Sequence, residues 1–285
     1  MRRIMRFDGV LLASDYDGTL AGASGVSEAS RRAIHFFIGN GGRFTVCTGR
    51  THLGFHAYSP DIINAPVLLA NGGMAYDYAA GRVAISQAIG GEGVEPLRAV
   101  HRRFPDVCIE MYALDRAYAI NLSPQSERHF TSQGIPFEAV EDPEQAPGPW
   151  FKVMVTGSEQ TIARVQAFLG RQCAELAFLP TDGRFLEVLK RDVDKGTALL
   201  KLADALGVGR EHVYAVGDGY NDVEMLRAAR MGFAPANGDS FALAAADRVV
   251  RSNEEGAVVH VIELLGEMYP PDGRGEERRE ASERV

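Results

Sequence analysis

Two carboxylates stand one residue apart in the stretch SDYDGTLAG, residues 14–22. Asp15 and Asp17 follow the apolar run VLLA at residues 10–13, which is typical of a buried strand. Two carboxylates this close repel each other, and one of them would have to bind a proton unless a cation lies between them. Mg²⁺ prefers oxygen ligands and would remove that conflict. An Asp-Gly turn that caps the following segment is the alternative, and this pair alone does not decide between the two.

Two further polar clusters follow apolar segments. The Thr-Gly-Arg motif at residues 48–50 offers a hydroxyl group and backbone N–H groups that suit a phosphoryl oxygen. Lys195 in VDKGTAL stands at the start of a predicted helix, where a cation is unfavourable unless it neutralises an anion. Lys190 and Lys201 are nearby alternatives for that cation.

The fourth cluster is GDGYND, residues 217–222, which places Asp218 between two glycines after an apolar run. Asn221 and Asp222 then begin a predicted helix. A dinucleotide-binding turn would need a third glycine where Asp222 stands. Asp218 would also point a carboxylate at the pyrophosphate, so this alternative fails chemically.

The elements around these clusters predict a parallel α/β sheet, because short apolar runs alternate with segments of helical period. The predicted strands lie within residues 10–15, 43–49, 66–73, 212–219 and 247–252, and the predicted helices within 28–38, 195–206 and 222–229. Ligands of such sheets bind outside the carboxyl ends of the strands, which is where the four clusters fall.

The middle of the chain has a different pattern. Two hairpins are predicted at residues 108–122 and 176–189, a strand at 151–157, and helices at 92–104 and 159–171. These elements indicate an α+β block with an antiparallel sheet, inserted into the parallel domain. The hairpin tips at residues 115–116 and 181–184 are candidates for contacts with a substrate.

Composition excludes several classes of partner. The 285 residues carry a net charge of −8, which disfavours nucleic acid and acidic membrane surfaces. Three widely spaced cysteines fit reduced thiols, and no apolar run approaches the ~20 residues of a membrane span. We therefore expect a cytoplasmic protein that binds neither nucleic acid nor membrane, with a disordered tail at residues 268–285. The sequence does not indicate the oligomeric state.

The four clusters, in this order, resemble the haloacid dehalogenase-like superfamily of phosphatases, and within it the Cof-type sugar-phosphatase group of subclass IIB. The resemblance implies an α/β, Rossmann-like core with a parallel sheet at residues 1–85 and 187–267. It also implies an inserted α+β cap of the C2B type at residues 86–186.

By resemblance, Asp15 would be the nucleophile that forms an aspartyl-phosphate, and Asp17 would be the general acid and then the general base. Thr48 and Lys195 would hold the transferring phosphoryl group. Mg²⁺ would be bound by the Asp15 side chain, the Asp17 backbone carbonyl and Asp218, with Asp222 behind these ligands. The residues expected to contact the phosphate or the substrate are Gly49, Arg50, Asn71, Gly72 and Asn221.

The expected activity is Mg²⁺-dependent hydrolysis of a small phosphate ester, with a sugar phosphate as the favoured substrate. A phosphoglycoside-type phosphatase, a nucleotide or cofactor phosphatase, and a phosphomutase on the same fold remain alternatives. So does a regulatory protein that only binds a phosphorylated ligand, although such a protein would be free to lose Asp17.

Two other chemistries are disfavoured by spacing. A cysteine-based phosphatase would use Cys47 and Arg50, but the two residues between them leave too small a loop for a phosphate. His52 and His56 have the i, i+4 spacing of some zinc sites, but no third ligand accompanies them.

Overall fold

The computed structural model describes residues 5–181 and 183–271. The predicted tail at residues 268–285 lies mostly outside them, so its disorder stays a prediction. The strands are β1 (Leu11–Ser14), β2 (Ala21–Gly22), β3 (Gly25–Val26), β4 (Arg43–Val46), β5 (Val67–Leu69), β6 (Met74–Asp77), β7 (Arg82–Ser86), β8 (Cys108–Tyr112), β9 (Ala117–Ile120), β10 (Phe137–Ala139), β11 (Lys152–Thr156), β12 (Leu176–Thr181), β13 (Phe185–Lys190), β14 (Val213–Val216), β15 (Met231–Pro235) and β16 (Arg248–Val250).

The helices begin at recognisable caps. The Ser27 side chain accepts a hydrogen bond from the Ser30 N–H at the start of α1, and Asp194 and Thr197 form a reciprocal cap at the start of α5. The helices are α1 (Glu28–Gly39), α2 (Val94–Arg103), α3 (Pro124–Ser132), α4 (Glu159–Gln172), α5 (Lys195–Leu206), α6 (Val223–Ala228), α7 (Ser240–Ala245) and α8 (Ala257–Met268). Among the described residues, no helix is both long enough and apolar enough to span a bilayer.

The first sheet is parallel and confirms the predicted α/β fold. Its strand order is β16-β15-β14-β1-β4, with Leu11 opposite Val213 and Arg43 in the neighbouring strands. Alternate side chains of β1 enter different layers: Leu12 packs in the cluster with residues of α1 and α8, and Ala13 packs in the cluster with residues of α5 and α6. Helices therefore cover both faces, which explains why the inner strands β1 and β14 are almost entirely apolar and buried.

Two parts of this region differ from the expectation. β15 was not predicted, because its sequence MGFAP contains Gly232 and Pro235, which are uncommon in strands. It forms a strand by pairing with β14 and β16 on either side. The predicted strand at residues 66–73 is shorter, because the chain turns at Asn71 (φ 50°) and returns as β6. β5, β6 and β7 thus form a separate antiparallel sheet, linked to β4 by one bridge between Cys47 and Leu68.

The second sheet has the order β10-β9-β8-β11-β13-β12 and contains both predicted hairpins. One face carries Met111, Val153 and Val188, which pack in a cluster with residues of α2 and α4. The opposite face contains polar residues and is turned toward the first sheet. β13 ends at Lys190, so the predicted boundary at 186/187 falls within a strand; the division into domains stays a prediction.

Candidate active site

Asp15, Thr48 and Asp218 follow three adjacent strands of the parallel sheet, β1, β4 and β14. The strands continue to pair up to these residues, since the Asp15 N–H donates to the Val216 carbonyl at 2.8 Å. The Thr48 side chain is buried, and its Oγ1 accepts the Arg50 backbone N–H at 3.2 Å. The predicted clusters therefore meet at one edge of the sheet.

Lys195 is the cation of the site. It is fully buried, and its Nζ donates to Asp15 Oδ1 and to Asp222 Oδ1, both at 2.6 Å. Burial alone would lower the pKa of Lys195, but the two carboxylates outweigh burial and raise the pKa above its usual value. Lys190 lies 3.9 Å from Glu92 on the surface and Lys201 bonds Gln87, so the sequence alternatives lie elsewhere.

Three carboxylates surround this lysine. Ligand atoms of Asp15, Asp218 and Asp222 lie within 4.8 Å of one another. Burial, with a further contribution from Asp222 and Asp218, raises the pKa of Asp15 to about 8, although Lys195 opposes the shift. Burial also raises the pKa of Asp218. One lysine does not balance the cluster, so the donor set fits a divalent cation with oxygen ligands.

The turn after Asp15 brings Asp218 close to the backbone. Gly18 has φ 83°, and a Cβ atom there would lie 2.5 Å from Asp218 Oδ2. Thr19 Oγ1 donates to Asp218 Oδ1 at 2.5 Å, and the Gly219 N–H donates to Asp222 Oδ2 at 2.9 Å. Asp222 thus holds Lys195 and the 217–222 loop in place, and its expected position behind the metal ligands stays a prediction.

The Asp17 side chain is paired with Arg50 and is not part of the cluster of Asp15, Asp218 and Asp222. Arg50 Nε and Nη2 donate to the two Asp17 oxygens at 2.8 and 2.7 Å, and the Asp17 side chain is 57% exposed. The Arg50 guanidinium also lies over the Tyr16 ring, 5.3 Å from its centroid. The bidentate geometry and the ring contact fix Arg50 at the mouth of the site.

The predicted substrate-binding residues lie in three loops that contact one another, after β4, β5 and β14. The Asn71 N–H donates to the Thr48 carbonyl at 3.0 Å, and the Asn71 side chain covers Gly49. Asn221 Nδ2 donates to Asn71 Oδ1 at 3.0 Å. Gly72 instead packs against the start of α5, because a Cβ atom there would lie 2.5 Å from the Asp194 carbonyl oxygen.

A cavity of about 550 Å³ is lined on one side by residues of these loops and on the other by residues at the polar face of the second sheet. Its lining on that side, which was not predicted, is Tyr112, His129, Gln133, Lys152, Met154, Leu179 and Glu187. The sequence does contain a signal for this side of the cavity, because Lys152 in FKVMV and Glu187 in FLEVL are charged residues within apolar strands. Of the hairpin-tip candidates, Asp115 and Arg116 pair with each other away from the described lining, and residue 182 lies outside the described residues.

The disfavoured chemistries find no support among the described residues. Cys47 is fully buried, and burial raises the pKa of its thiol far above the usual value, so it is a poor nucleophile. His52 Nδ1 lies 3.2 Å from the Leu114 carbonyl oxygen and His56 Nε2 lies 2.8 Å from that of Gln133, so each faces a backbone carbonyl.

The fold and the site define an α/β protein that carries a buried Asp–Lys–Asp arrangement at the carboxyl edge of a parallel sheet. The family model for haloacid dehalogenase-like hydrolases matches residues 12–262, and the chain belongs to this family.

Similar proteins agree with this assignment. The chain is 27% identical to the 5-amino-6-(5-phospho-D-ribitylamino)uracil phosphatase YwtE of Bacillus subtilis, over 89% of this chain and 97% of that protein. A haloacid dehalogenase-like hydrolase from Bacteroides thetaiotaomicron superposes with a TM-score of 0.78 at 25% identity, covering 90% of this chain and 99% of that one. The subclass IIB sugar phosphatase BT4131 superposes with a TM-score of 0.77 at 19% identity, covering 90% and 99%. The predicted phosphatase family is therefore confirmed.

Proposed function

We propose that the protein is a Mg²⁺-dependent phosphatase that hydrolyses a phosphorylated polyol or sugar by way of an aspartyl-phosphate. The observation that carries this proposal is Lys195, which is fully buried and donates to Asp15 and Asp222 at 2.6 Å beside Asp218. Lys195 holds Asp15 in place and offsets negative charge as phosphorus approaches. Bound Mg²⁺, held by Asp15, Asp218 and the Asp17 carbonyl, would supply the remaining positive charge.

The reaction has two displacements. In the first, an Asp15 oxygen attacks phosphorus, the bond from phosphorus to the ester oxygen breaks, and Asp17 donates a proton to the departing alkoxide. In the second, Asp17 takes a proton from water, the water oxygen attacks phosphorus, and the bond to Asp15 breaks. Thr48 and Lys195 hold the phosphoryl oxygens in both steps.

Arg50 connects substrate binding to proton transfer. An Asp17 carboxylate bound in bidentate fashion to Arg50 is not placed to give a proton to a leaving group. The phosphoryl dianion is a stronger partner for a guanidinium group than one carboxylate. Substrate binding would therefore draw Arg50 toward the phosphate and release Asp17 for its acid role.

The charges of the cavity favour a neutral leaving group. Its described lining contains five acidic side chains, Asp15, Asp17, Glu187, Asp218 and Asp222, and two Lys or Arg side chains, apart from Lys195, which is buried behind Asp15 and Asp222. Both cations already face carboxylates, since Arg50 bonds Asp17 and Lys152 bonds Glu187. A second carboxylate or phosphate on the substrate would lack a cation, whereas hydroxyl groups suit His129 and Gln133.

The relatives support the same substrate class. YwtE is named for an ester in which a ribityl chain carries the phosphate, and BT4131 is described as a sugar phosphatase. The second sheet would act as the cap that closes over the phosphate, and its polar face would set specificity. A small soluble substrate and reduced cysteines fit a cytoplasmic enzyme.

The test is phosphate release from an aryl phosphate with Mg²⁺ and with EDTA. We expect turnover only with Mg²⁺, and none in Asp15→Asn. A panel of hexose and pentitol phosphates, a phosphorylated carboxylic acid and a bisphosphate then tests the substrate class. Turnover that survives EDTA or the Asp15 substitution would refute the mechanism, and a preference for the dianionic esters would refute the neutral leaving group.

A further inference from the structure

A chain of buried polar contacts joins the second sheet to the phosphate-binding loops. Lys152 on β11 and Glu187 on β13 form an ion pair, with Nζ and Oε2 2.8 Å apart, and the residues are 8% and 2% exposed. Lys152 Nζ also donates to the Gly49 carbonyl at 3.0 Å. Glu187 Oε1 accepts Asn71 Nδ2 at 2.8 Å, and Asn71 Oδ1 accepts Asn221 Nδ2 at 3.0 Å.

Attachment of one sheet to the other does not require these charges. Removing two charges from water costs several kcal/mol per ion, and apolar residues of similar size often stabilise a protein as well or better. The neighbours Met154 and Leu179 on this face of the sheet are apolar. The contacts of the pair lie instead on Gly49 and Asn71, in the two loops that surround the phosphate position.

The chemistry of the chain fixes the direction of each amide. An ionised carboxylate only accepts hydrogen bonds, so Glu187 requires the NH₂ group of Asn71 to point toward it. Asn71 Oδ1 is then directed to Asn221, which must answer with its own NH₂ group. Each NH₂ group has a second hydrogen, and Asn71 and Asn221 both line the cavity, so each amide has a donor available for a phosphoryl oxygen.

A neutral side chain at position 187 would lose this control. Gln has an NH₂ group of its own, and it can donate to Asn71 Oδ1 if the Asn71 amide turns over. Asn221 would then turn as well, and carbonyl oxygens would face the phosphoryl group. Oxygen lone pairs repel a phosphate dianion, so binding would weaken although the shape of the site is unchanged.

We propose that Glu187 and Lys152 are positioning residues for phosphate binding. Ionised Glu187 sets the amide direction of Asn71 and Asn221, and Lys152 holds the Gly49 carbonyl away from the phosphate. This role rests on the proposed function only in that the site binds a phosphoryl group; it does not depend on hydrolysis or on the identity of the leaving group.

The test is the dissociation constant of inorganic phosphate for Glu187→Gln, measured by isothermal titration calorimetry with Mg²⁺ present. We expect an increase of about tenfold, which corresponds to ~1.4 kcal/mol. Glu110→Gln is the matched control, because Glu110 is 3% exposed on the same sheet and accepts the Tyr112 hydroxyl at 2.6 Å, outside the chain of contacts. The phosphate affinity of Glu110→Gln should equal that of the parent, whereas its Tm should change by about as much as the Tm of Glu187→Gln.

A second variant guards against misfolding. Replacing both Lys152 and Glu187 by Met removes the pair without leaving one buried charge, and it should raise the dissociation constant to a similar extent. A phosphate affinity within twofold of the parent in a folded variant would show that the pair is structural only, and would overturn the inference. A parent that binds no phosphate would also overturn it, whereas a parent that binds phosphate but hydrolyses no ester refutes only the proposed function.

Discussion

Asp15 should destabilise the metal-free protein, even though the proposed reaction requires it. Burial raises its pKa from 3.8 to about 8, so the folded protein resists ionising this group. Below pH 3.8 the carboxyl is protonated in both states and has no effect. As the pH rises from 3.8 to about 8, the unfolded chain releases the proton while the folded protein keeps it, so stability is lost progressively.

The size of the effect follows from the shift. One pKa unit corresponds to ~1.36 kcal/mol, so a shift of about four units amounts to ~5 kcal/mol above pH 8. Asn at this position avoids the penalty but weakens one of the two contacts of Lys195, which offsets ~2–3 kcal/mol of the gain, as for a hydrogen bond to a charged group. We expect Asp15→Asn to stabilise the metal-free protein at pH 8 by ~2–3 kcal/mol, or roughly 5–10 °C in Tm.

The assay is thermal unfolding in EDTA at a series of pH values between 5 and 8. The advantage of Asp15→Asn should shrink as the pH falls, and Asp115→Asn, which removes an exposed carboxylate, should show no such trend. Mg²⁺ should raise the Tm of the parent more than that of Asp15→Asn, because the parent has the full ligand set. A lower Tm for Asp15→Asn in EDTA at pH 8 would refute this account.

Three further substitutions test separate parts of the structure. Asp17→Asn should lower kcat by ~10²–10⁴-fold in steady-state kinetics with little change in Tm, because the side chain is 57% exposed. Gly18→Ala should weaken Mg²⁺ binding in a titration and cost ~1–3 kcal/mol of stability, since φ is 83° and Cβ would lie 2.5 Å from Asp218 Oδ2. Arg98 and the Glu144 N–H lower the pKa of Asp142 to about 2, so the stability it contributes is present above pH 3.8 and lost as the pH falls toward 2. Asp142→Asn should therefore lower Tm at pH 7, and the difference in Tm between parent and variant should decrease from pH 5 to pH 3. A difference in Tm that does not change with pH would contradict the lowered pKa of Asp142.

The side of the site that contains the carboxylates and Thr48 could be predicted from the sequence, because its residues are fixed by their positions at the ends of strands. Asp15, Thr48 and Asp218 each follow a strand, and neighbouring parallel strands end at the same edge. Lys195 stands at the start of a helix, but Lys190 and Lys201 remained alternatives at that stage, and the family resemblance favoured Lys195. The family resemblance then supplied the roles, which composition and periodicity alone did not.

The opposite wall of the cavity was not accessible in the same way. Asn71 and Glu187 are separated by 116 residues in sequence, and their contact depends on how the second sheet lies over the first. An alternating strand shows which residues share a face, but it does not show whether that face meets solvent or a ligand site. Glu187 and Lys152 therefore looked like ordinary charged residues until the two sheets were seen together.

The charges of the site also imply that Mg²⁺ and phosphate bind cooperatively. A phosphate dianion that enters a cavity lined by Asp17, Glu187, Asp218 and Asp222, in addition to Asp15, meets repulsion from these acidic groups unless a divalent cation is present. By thermodynamic linkage, if Mg²⁺ increases the affinity for phosphate by some factor, phosphate increases the affinity for Mg²⁺ by the same factor. Phosphate titrated in EDTA should therefore bind more weakly than with Mg²⁺, and equal affinities would show that Lys195 and Arg50 suffice without the metal. Because Arg50 is already paired with Asp17 and Lys195 with Asp15 and Asp222, we expect the metal to be required.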